Sequence, residues 1–577
     1  MIFSIYGNQG LLLQLTAISA VSGIWFLSFR RCLMLNEAEK QYYQESYPEL
    51  KPFIDQVDSG SVKFLMDHIV VLPLEHSFHI LKAYFEKPTI REQNLFIRKL
   101  KKSIFSKVPA FVDNINFYST DIRKWAAYQS RKFSKLANEY PYTYTGKSRT
   151  KSPYRDKAKE LESLYKVMSS FIRELNIEPP KPNSQKTLEG CIQRLQCPEW
   201  WARRIRKSLK QAREYTAITL GRVSKGKDIY CSNPTVKDRE LDKLRNEKFL
   251  KDKYVVNEEG EVLSLFEISQ STIANPVNRR ADLMTRASGF EKMADEEGYQ
   301  GVFVTITCPS KYHNNYSKSG KPNPNWGGYT PKESQKYLNS VWCKIRAQLK
   351  RDKITMFGIR VTEPQHDGTP HWHILVFILP TDIKRFSEII AHYALMEDGD
   401  EKGAAENRCD IKIIDKTKGR ATGYLAKYVS KNIDGVELET GSYDEPIKTT
   451  VRHVEAWASC WSIRQFQQQG GASASVYREL RRARHEQAPD SPFEAARAAA
   501  DTGNWAEYNR AMGDINTPRK DHKLKLDYEV KFDTDTGEIS TTRYDGDIRK
   551  KLIGVKAGDQ RLKTRHHVWR PLPKGAG

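Results

Sequence analysis

The chain has 577 residues, of which 39% are hydrophobic and 11% aromatic, so two to four folded domains are expected and wholesale disorder is excluded. Lysines and arginines number 94 against 71 aspartates and glutamates, a formal net charge of +23 that indicates a polyanionic partner, usually nucleic acid and less often an anionic membrane. A basic protein without such a partner is the alternative. Eight cysteines without a C-x-x-C spacing exclude a structural zinc module and a disulfide framework, and predict free thiols in a reducing cytoplasm.

The first 29 residues carry no charged side chain, and residues 10–29 are long and apolar enough to cross a bilayer. They lack the basic start of a secretory signal, and Gln14, Thr16 and a polar remainder weigh against a membrane span. Met34 opens "MLNEAEKQYYQE", which is typical of a helix start in a protein outside the membrane. Two interpretations of residues 1–33 stay open: an apolar leader that anchors the chain, or an over-extended start.

Residues 34–250 have the pattern of a mostly helical, basic region with a possible role in DNA binding. The stretches "IREQNLFIRKLKKSIFSKV" and "WWARRIRKSLKQAREYTAI" combine apolar residues at helical spacing with lysines and arginines. Turn-forming residues at 140–157 and 176–187 separate the helices. Trp200 and Trp201 then precede a basic run, which is typical of a DNA-contacting helix or of an amphipathic helix with a solvated basic face.

Residues 251–465 alternate between strand and helix patterns. Helical periodicity appears near 278–297, 331–351, 382–396 and 420–432. Runs rich in β-branched and aromatic residues predict five strands between these helices: "GEVLSLFEIS", "GVFVTITCPS", "ITMFGIRVTE", "HWHILVFILP" and "CDIKIID". This order predicts an α+β fold in which one sheet carries helices on its face. Residues 466–577 are polar and basic; "RRARHEQAPDSPFEAARAAADTGNWAEY" favours helix, and the last 60 residues show no clear pattern.

The segment "RVTEPQHDGTPHWHILVF" contains the candidate metal ligands. Strand patterns flank the turn signal Asp367-Gly368, so the segment predicts a β-hairpin. His371 and His373 would point to one face of their strand, and a turn centred on Asp367 sets Glu363 opposite His371. Two imidazoles and one carboxylate can hold an ion with open coordination positions, as catalysis requires. Two histidines that pack within a strand, or a non-haem iron site of an oxygenase, are the alternatives, and the iron site leaves the charge unexplained.

Tyrosines four residues apart occur as four pairs, against about 1.4 expected by chance. Tyr43/Tyr47 ends against a proline, and Tyr140/Tyr144 and Tyr312/Tyr316 lie in turn-like segments. Tyr424/Tyr428, in "GYLAKYVSKN", has a helical pattern and shares its region with the histidine pair. Lys427 and Lys431 lie beside these two rings, which suits a site that holds a phosphate.

The order "FVTITCPSKYH", "EPQHDGTPHWH" and "YLAKYVSKNIDG" resembles the three motifs of HUH endonucleases. The likeness is strongest over residues 250–480 and points to the two-tyrosine rolling-circle initiators, in particular the replication gene A proteins of temperate tailed phages. "HYALMEDGDEKGAAENR" and "AWASCWSIRQF" also resemble that family. The resemblance implies an HUH-nuclease antiparallel sheet with flanking helices over 251–465, after a mostly helical N-terminal region.

The resemblance also implies roles for individual residues. His371 and His373 would bind Mg²⁺ or Mn²⁺ with Glu363 as third ligand, and His366 is a weaker candidate because it lies nearer the turn. Tyr424 and Tyr428 would be the nucleophiles. Lys427 would neutralise phosphate charge or help to activate a tyrosine, with Lys431 as a second helper, whereas Thr305 and Thr307 would be scaffold.

The implied activity is that of a site-specific nickase and DNA strand transferase in the cytoplasm of a bacterial host. It would cut single-stranded or extruded origin DNA through a 5′-phosphotyrosyl intermediate and start rolling-circle replication of a phage or prophage. A host helicase and a host polymerase would be its partners. Two other hypotheses stay open: an HUH transposase or relaxase of a mobile element, and a non-catalytic origin-binding protein.

Overall fold

A computed structural model of the chain describes residues 64–572, apart from 66, 117–118, 144–152, 184–185, 437, 484, 533–535 and 545–546. The apolar leader, Met34, the pair Tyr43/Tyr47 and Tyr144 lie outside the described residues. Within them, no helix combines the length and apolar character needed to cross a membrane. The seven cysteines in the described part are free thiols, as predicted.

The described residues fall into two compact units, one within 64–220 with 543–547 and one within 221–542 with 548–572. The described part of the first unit is helical, which confirms the prediction for this region. Its elements are a 3₁₀ turn at Leu74–His76 and the helices α1 Ser77–Phe85, α2 Ile90–Phe105, α3 Ser119–Thr143, α4 Pro153–Glu174, α5 Leu188–Leu195 and α6 Pro198–Thr219.

Helix α6 is amphipathic. Trp200 and Trp201 are buried on one side, where Trp201 Nε1 donates a hydrogen bond to the carbonyl of Leu195 at 2.7 Å. Arg203 and Arg206 are exposed on the other side. The tryptophans therefore belong to the core, and a role for the arginines in DNA binding stays a prediction.

The second unit contains all eleven strands that the described residues form. They are β1 Tyr254–Val256, β2 Val262–Ser264, β3 Gln300–Ile306, β4 Phe357–Pro364, β5 Pro370–Ile378, β6 Cys409–Ile413, β7 Phe466–Gln469, β8 Lys525–Val530, β9 Lys550–Ala557, β10 Gln560–Lys563 and β11 Arg570–Pro571. The central sheet is antiparallel with the order β6-β3-β5-β4-β7. Two further antiparallel sheets have the orders β11-β1-β2 and β10-β9-β8.

The helices of this unit connect the strands. They are α7 Asn233–Lys251, α8 Leu265–Gln270, α9 Pro276–Glu296, α10 Pro331–Arg351, α11 Ile383–Ala394, α12 Ala404–Asn407, α13 Ala421–Ile433, α14 Ile447–Trp461, α15 Ala474–Leu480, α16 Glu494–Asp501 and α17 Trp505–Met512, with 3₁₀ turns at Ser310–Tyr312, Pro380–Asp382, Lys416–Lys418 and Arg519–Asp521. Helix α10 begins with a capping box, since Thr330 and Glu333 each bond the other's main-chain N–H. The α+β class and the antiparallel sheet are thus confirmed.

Helices cover both faces of the central sheet, which fits the flanking helices of the predicted α+β fold. Phe303, Phe357 and Leu375 pack on one face against α9, α13 and α17. Alternate residues of the same strands, such as Val304 and Ile374, pack on the other face against α10 and α11. Side chains alternate along a strand, so a sheet with both faces covered has strands that are apolar throughout.

Three predictions need correction. In "GEVLSLFEIS", Val262–Ser264 is a strand of a small separate sheet, and Leu265–Gln270 is helical because Ser264 and Glu267 form a capping box. The fifth strand of the central sheet is Phe466–Gln469 instead.

The C-terminal region differs as well. Only the second half of the segment from 481 is helical, as α16 and α17. Within the last 60 residues, the described segments Lys525–Val530, Lys550–Ala557 and Gln560–Lys563 form the β8-β9-β10 sheet, where charged residues on an exposed face hide the strand pattern. The predicted boundaries of residues 1–33, 34–250, 251–465 and 466–577 stay predictions.

Candidate active site

The hairpin of β4 and β5 has the predicted register. Glu363 pairs with His371 and Pro364 with Pro370. Gly368 makes the turn at a φ of 81°, a left-handed conformation that favours glycine. His373 follows on the same face, while Trp372 points into the opposite core.

Three side chains of the hairpin converge on one point. The Nε2 atoms of His371 and His373 lie 2.8 Å apart, and Glu363 Oε2 lies 3.6 Å from Nε2 of His373. One ligand atom from each residue lies within 4.8 Å of the other two, and this is the one such group of acidic, histidine or cysteine side chains in the described residues. The structure therefore brings together the three side chains that the sequence placed on one face of the hairpin, and their role as metal ligands stays a prediction.

Burial sets the protonation of these groups. It lowers the pKa of His371 to about 3, with the positive charge of Lys431 as a further cause, and it lowers the pKa of His373 well below its usual value. Both imidazoles are therefore neutral at physiological pH and can coordinate a metal. Burial raises the pKa of Glu363, and Lys431 and Asn432 oppose that shift.

The cluster fits a divalent metal ion. Two neutral imidazole nitrogens that face each other, with a carboxylate oxygen beside them, form a mixed N and O ligand set. Such a set leaves other coordination positions open. Which metal the site prefers does not follow from these three ligands.

Neighbouring polar side chains orient the ligands. Thr305 Oγ1 lies 3.1 Å from Nδ1 of His373, the ring nitrogen that faces away from the cluster. Asn432 donates a hydrogen bond from Nδ2 to Glu363 Oε1. Sequence reasoning treated Thr305 as scaffold and did not consider Asn432. The pairing of Thr305 with His373 in the sheet could have indicated the contact of Thr305. No pattern in the sequence indicates that Asn432 lies next to Glu363.

Helix α13, which carries the tyrosine pair, is held at both ends by α9. Glu291 accepts the main-chain N–H groups of Ala421 at 2.6 Å and Thr422 at 3.2 Å, which caps the helix N-terminus with a negative charge. At the other end, Arg280 forms a 2.8 Å ion pair with Asp434. Apolar residues of α13, including Leu425 and Val429, are fully buried against the sheet. These contacts fix the rotation of the helix and hence where its tyrosines point.

The two tyrosines differ in their surroundings. The ring of Tyr428 lies 4.1 Å from the His373 ring and 5.4 Å from the Phe303 ring, between centroids. Tyr424 lies one turn earlier, 41% exposed, with its ring 6.3 Å from Phe303. Burial and the charges of Glu363 and Asp410 raise the pKa of Tyr428 to about 12. One phenol therefore lies against the metal-capable cluster and the other faces solvent.

The lysines also differ. Lys431 is buried, with Nζ 3.4 Å from Glu363 Oε2 and 5.5 Å from the Tyr428 ring centroid, and it donates to Ser442 Oγ. Lys427 is exposed, and its charge offsets a small part of the rise that burial causes in the pKa of Glu363. The sequence ranked Lys427 first, whereas Lys431 is the lysine that contacts the cluster.

The remaining candidates lie outside the cluster. His366 is buried in the turn, where its Nδ1 accepts the main-chain N–H of Lys225 at 3.3 Å. Thr307 donates to the carbonyl of Asn407 at 2.8 Å. Tyr312 is buried and donates to Glu397 at 3.1 Å, and Tyr316 lies in a turn beyond it. Tyr140 lies in helix α3, not in a turn.

Comparison with known proteins gives consistent matches. The sequence profile described as bacteriophage replication gene A protein (GPA) matches residues 121–436, which include the whole hairpin and helix α13. The replication gene A protein of Escherichia phage 186 is 40% identical over 72% of this chain and 62% of its own length. That of Escherichia phage P2 is 33% identical over 86% of this chain and 68% of its own length.

Prophage proteins also match. A probable replication endonuclease from a prophage-like region of Escherichia coli O6:H1 is 32% identical over 72% of this chain and 55% of its own length. The chain thus spans about half to two thirds of the curated relatives that it matches. No solved structure matches it.

Proposed function

This chain belongs to the bacteriophage replication gene A protein family, and from that membership and the site geometry we propose that it is an HUH-type DNA endonuclease and strand transferase. It nicks a replication origin in single-stranded or extruded DNA and so initiates rolling-circle replication of a phage or prophage. The observation that carries the proposal is the contact of Tyr428 with His373, at 4.1 Å between ring centroids, beside the trio Glu363, His371 and His373. A candidate nucleophile and a candidate metal centre thus share one surface.

In the proposed reaction, the hydroxyl oxygen of Tyr424 or Tyr428 attacks the scissile phosphorus. A bond forms from phosphorus to the tyrosine oxygen, and the bond from phosphorus to the 3′ oxygen breaks. The tyrosine loses its proton, and the departing oxygen takes up a proton to become a 3′-OH. The 5′-phosphate stays on the tyrosine as a phosphodiester, so a later 3′-OH can reverse the reaction without ATP.

The trio would hold Mg²⁺ or Mn²⁺. Such a cation, when bound, would polarise the scissile phosphate and offset the negative charge that opposes ionisation of Tyr428. Neutral His371 and His373 supply lone pairs, and Glu363 supplies charge. Lys427 and Lys431 would interact with phosphate oxygens or favour the phenolate, and Lys431 already lies 5.5 Å from the Tyr428 ring.

Two tyrosines on one helix give the proposed enzyme a second cut. While one tyrosine holds the 5′ end, the other can cleave the origin that replication regenerates, and the released 3′-OH can resolve the first linkage. The exposed Tyr424 and half-buried Tyr428 lie on the same helix one turn apart, which allows both to reach one bound strand. Host helicase and host polymerase would extend the 3′-OH.

The test uses purified full-length protein and single-stranded fragments of the genome that encodes it. With Mn²⁺ or Mg²⁺, we expect a covalent protein–DNA band on a denaturing gel, and EDTA should abolish it. The same fragments as intact duplex are the matched control and should react less, because the scissile strand must enter the site unpaired. Absence of an adduct with every divalent metal tried would refute the proposal.

A further inference from the structure

Asn432 lies between the metal-capable cluster and the main chain of the tyrosine helix. Its Nδ2 donates to Glu363 Oε1 and also to the carbonyl oxygen of Tyr428 at 2.6 Å. Its Oδ1 accepts a hydrogen bond from Gln465 Nε2 at 2.9 Å. Asn432 is 3% exposed, so these bonds form away from bulk water.

These contacts leave the Asn432 amide one orientation. The carboxylate of Glu363 and the carbonyl of Tyr428 are both acceptors, so the amide must present its NH₂ group to them. A rotated amide would put Oδ1 against a carboxylate oxygen and lose the bond from Gln465. The donor on Gln465 therefore selects the orientation that Glu363 needs.

Gln465 is itself fixed next to the hairpin. Its main-chain carbonyl accepts the N–H of Thr362 at 2.7 Å, one residue before Glu363, and β7 begins at the next residue. The relay from Gln465 through Asn432 to Glu363 thus starts and ends on neighbouring main-chain segments. Because Asn432 belongs to helix α13, its hydrogen bonds connect the tyrosine helix to these two segments.

We propose that Asn432 and Gln465 are positioning residues that aim Glu363 at the metal and couple the tyrosine helix to the metal centre. The inference rests on the proposed function. Because Asn432 holds Oε1, Glu363 presents its other oxygen, Oε2, to His373. Partners of metal ligands act in this way, and their loss lowers metal affinity by about 10- to 100-fold.

The decisive variant is Gln465→Glu, which keeps the size of the side chain and replaces the donor by an acceptor. Its carboxylate would repel Asn432 Oδ1, favour the rotated amide and turn Oδ1 towards Glu363. We expect calorimetric titration with Mn²⁺, without DNA, to show a dissociation constant raised about 10- to 100-fold. Adduct formation should recover at high Mn²⁺, and DNA affinity in EDTA should stay within about twofold of wild type, since the relay acts through the metal.

Gln467→Glu is the matched control. It adds the same charge two residues further along the chain, inside β7, where Gln467 pairs with Arg360, and it should leave Mn²⁺ affinity unchanged. If Gln465→Glu does not fold by circular dichroism, Gln465→Met, which removes the donor without adding charge, should lower Mn²⁺ affinity in the same direction.

The outcomes separate this inference from the proposed function. Wild-type protein that binds Mn²⁺ and forms the adduct, with a folded Gln465 variant of equal Mn²⁺ affinity, would overturn the relay alone. Wild-type protein without Mn²⁺ binding or adduct would overturn both. If Gln465→Glu loses adduct formation and added Mn²⁺ does not restore it, the relay is also overturned, because the loss would then reflect general structural damage.

Discussion

The two faces of the β4-β5 hairpin are both buried, but they bury different groups. One face presents Glu363, His371 and His373, whose charges and lone pairs converge on one point. The other presents Trp372, fully buried against Trp342 and under the guanidinium of Arg360 at 3.9 Å. Adjacent residues of one strand thus belong to a candidate site and to a packed core.

This difference explains how the site is kept rigid. The apolar face fixes the strands in register, and a shift by one residue would exchange the two faces. The polar face lowers the stability of the fold, because burial holds its imidazoles neutral and desolvates its carboxylate. Substitutions on the two faces should therefore have separable effects, on metal and DNA chemistry or on folding.

The largest effect is expected from the double variant Tyr424→Phe/Tyr428→Phe. It removes both candidate nucleophiles and should abolish the covalent adduct while Mn²⁺ affinity, measured by calorimetry, stays close to wild type. Each single variant should retain some adduct, because the other hydroxyl remains on the helix. Tyr312→Phe is a control with no expected effect on the adduct, and persistence of adduct in the double variant would contradict the assignment.

Trp372→Ala should have the largest effect on folding. Loss of this buried ring opens a cavity beside Trp342 and uncovers the buried Arg360, so the free energy of unfolding should fall by about 3–5 kcal/mol. Urea unfolding monitored by circular dichroism measures it. A loss below about 1 kcal/mol would show that this face does not hold the register.

His373→Ala, one residue further, should act on the metal. We expect Mn²⁺ affinity to fall by more than about a hundredfold, because loss of a residue that only hydrogen-bonds to a metal ligand already lowers affinity about 10- to 100-fold. His453→Ala is the control, because His453 is equally buried, on α14, and bonds Asn233 instead. Unchanged Mn²⁺ affinity in His373→Ala would show that the trio does not bind the metal.

The smallest effects are expected from a matched pair of threonine substitutions, one on each face of the sheet. Thr305→Val removes the partner of His373 Nδ1 and should lower Mn²⁺ affinity about tenfold. Thr362→Val alters the opposite face, where the buried Thr362 hydroxyl finds no hydrogen-bond partner among the described residues. That variant should keep Mn²⁺ affinity and unfold at an equal or higher urea concentration. The reverse pattern would show that the two faces are not independent.

Particular residues show how far the sequence could predict this molecule. The Asp367-Gly368 turn and strict alternation sufficed for the register of Glu363 with His371, because both are local. Helix α13 was likewise predictable from its own periodicity. Three of its contacts depend on packing between segments about 65 to 130 residues apart, which no local pattern encodes: the hydrogen bond from Asn432 to Glu363, the capping of its N-terminus by Glu291, and the proximity of Lys431 to Glu363. The sheet edge at Phe466–Gln469 was missed for the same reason.

The most direct test of the account is the identity of the residue that carries the DNA. Trypsin cleaves after Arg420, Lys427 and Lys431, so it separates Tyr424 and Tyr428 into different peptides that mass spectrometry can distinguish. After reaction with single-stranded DNA and Mn²⁺ and nuclease trimming, we predict a 5′-phosphonucleotide on one or both of these peptides. A nucleotide on any other residue, or an adduct that forms without divalent metal, would contradict the account.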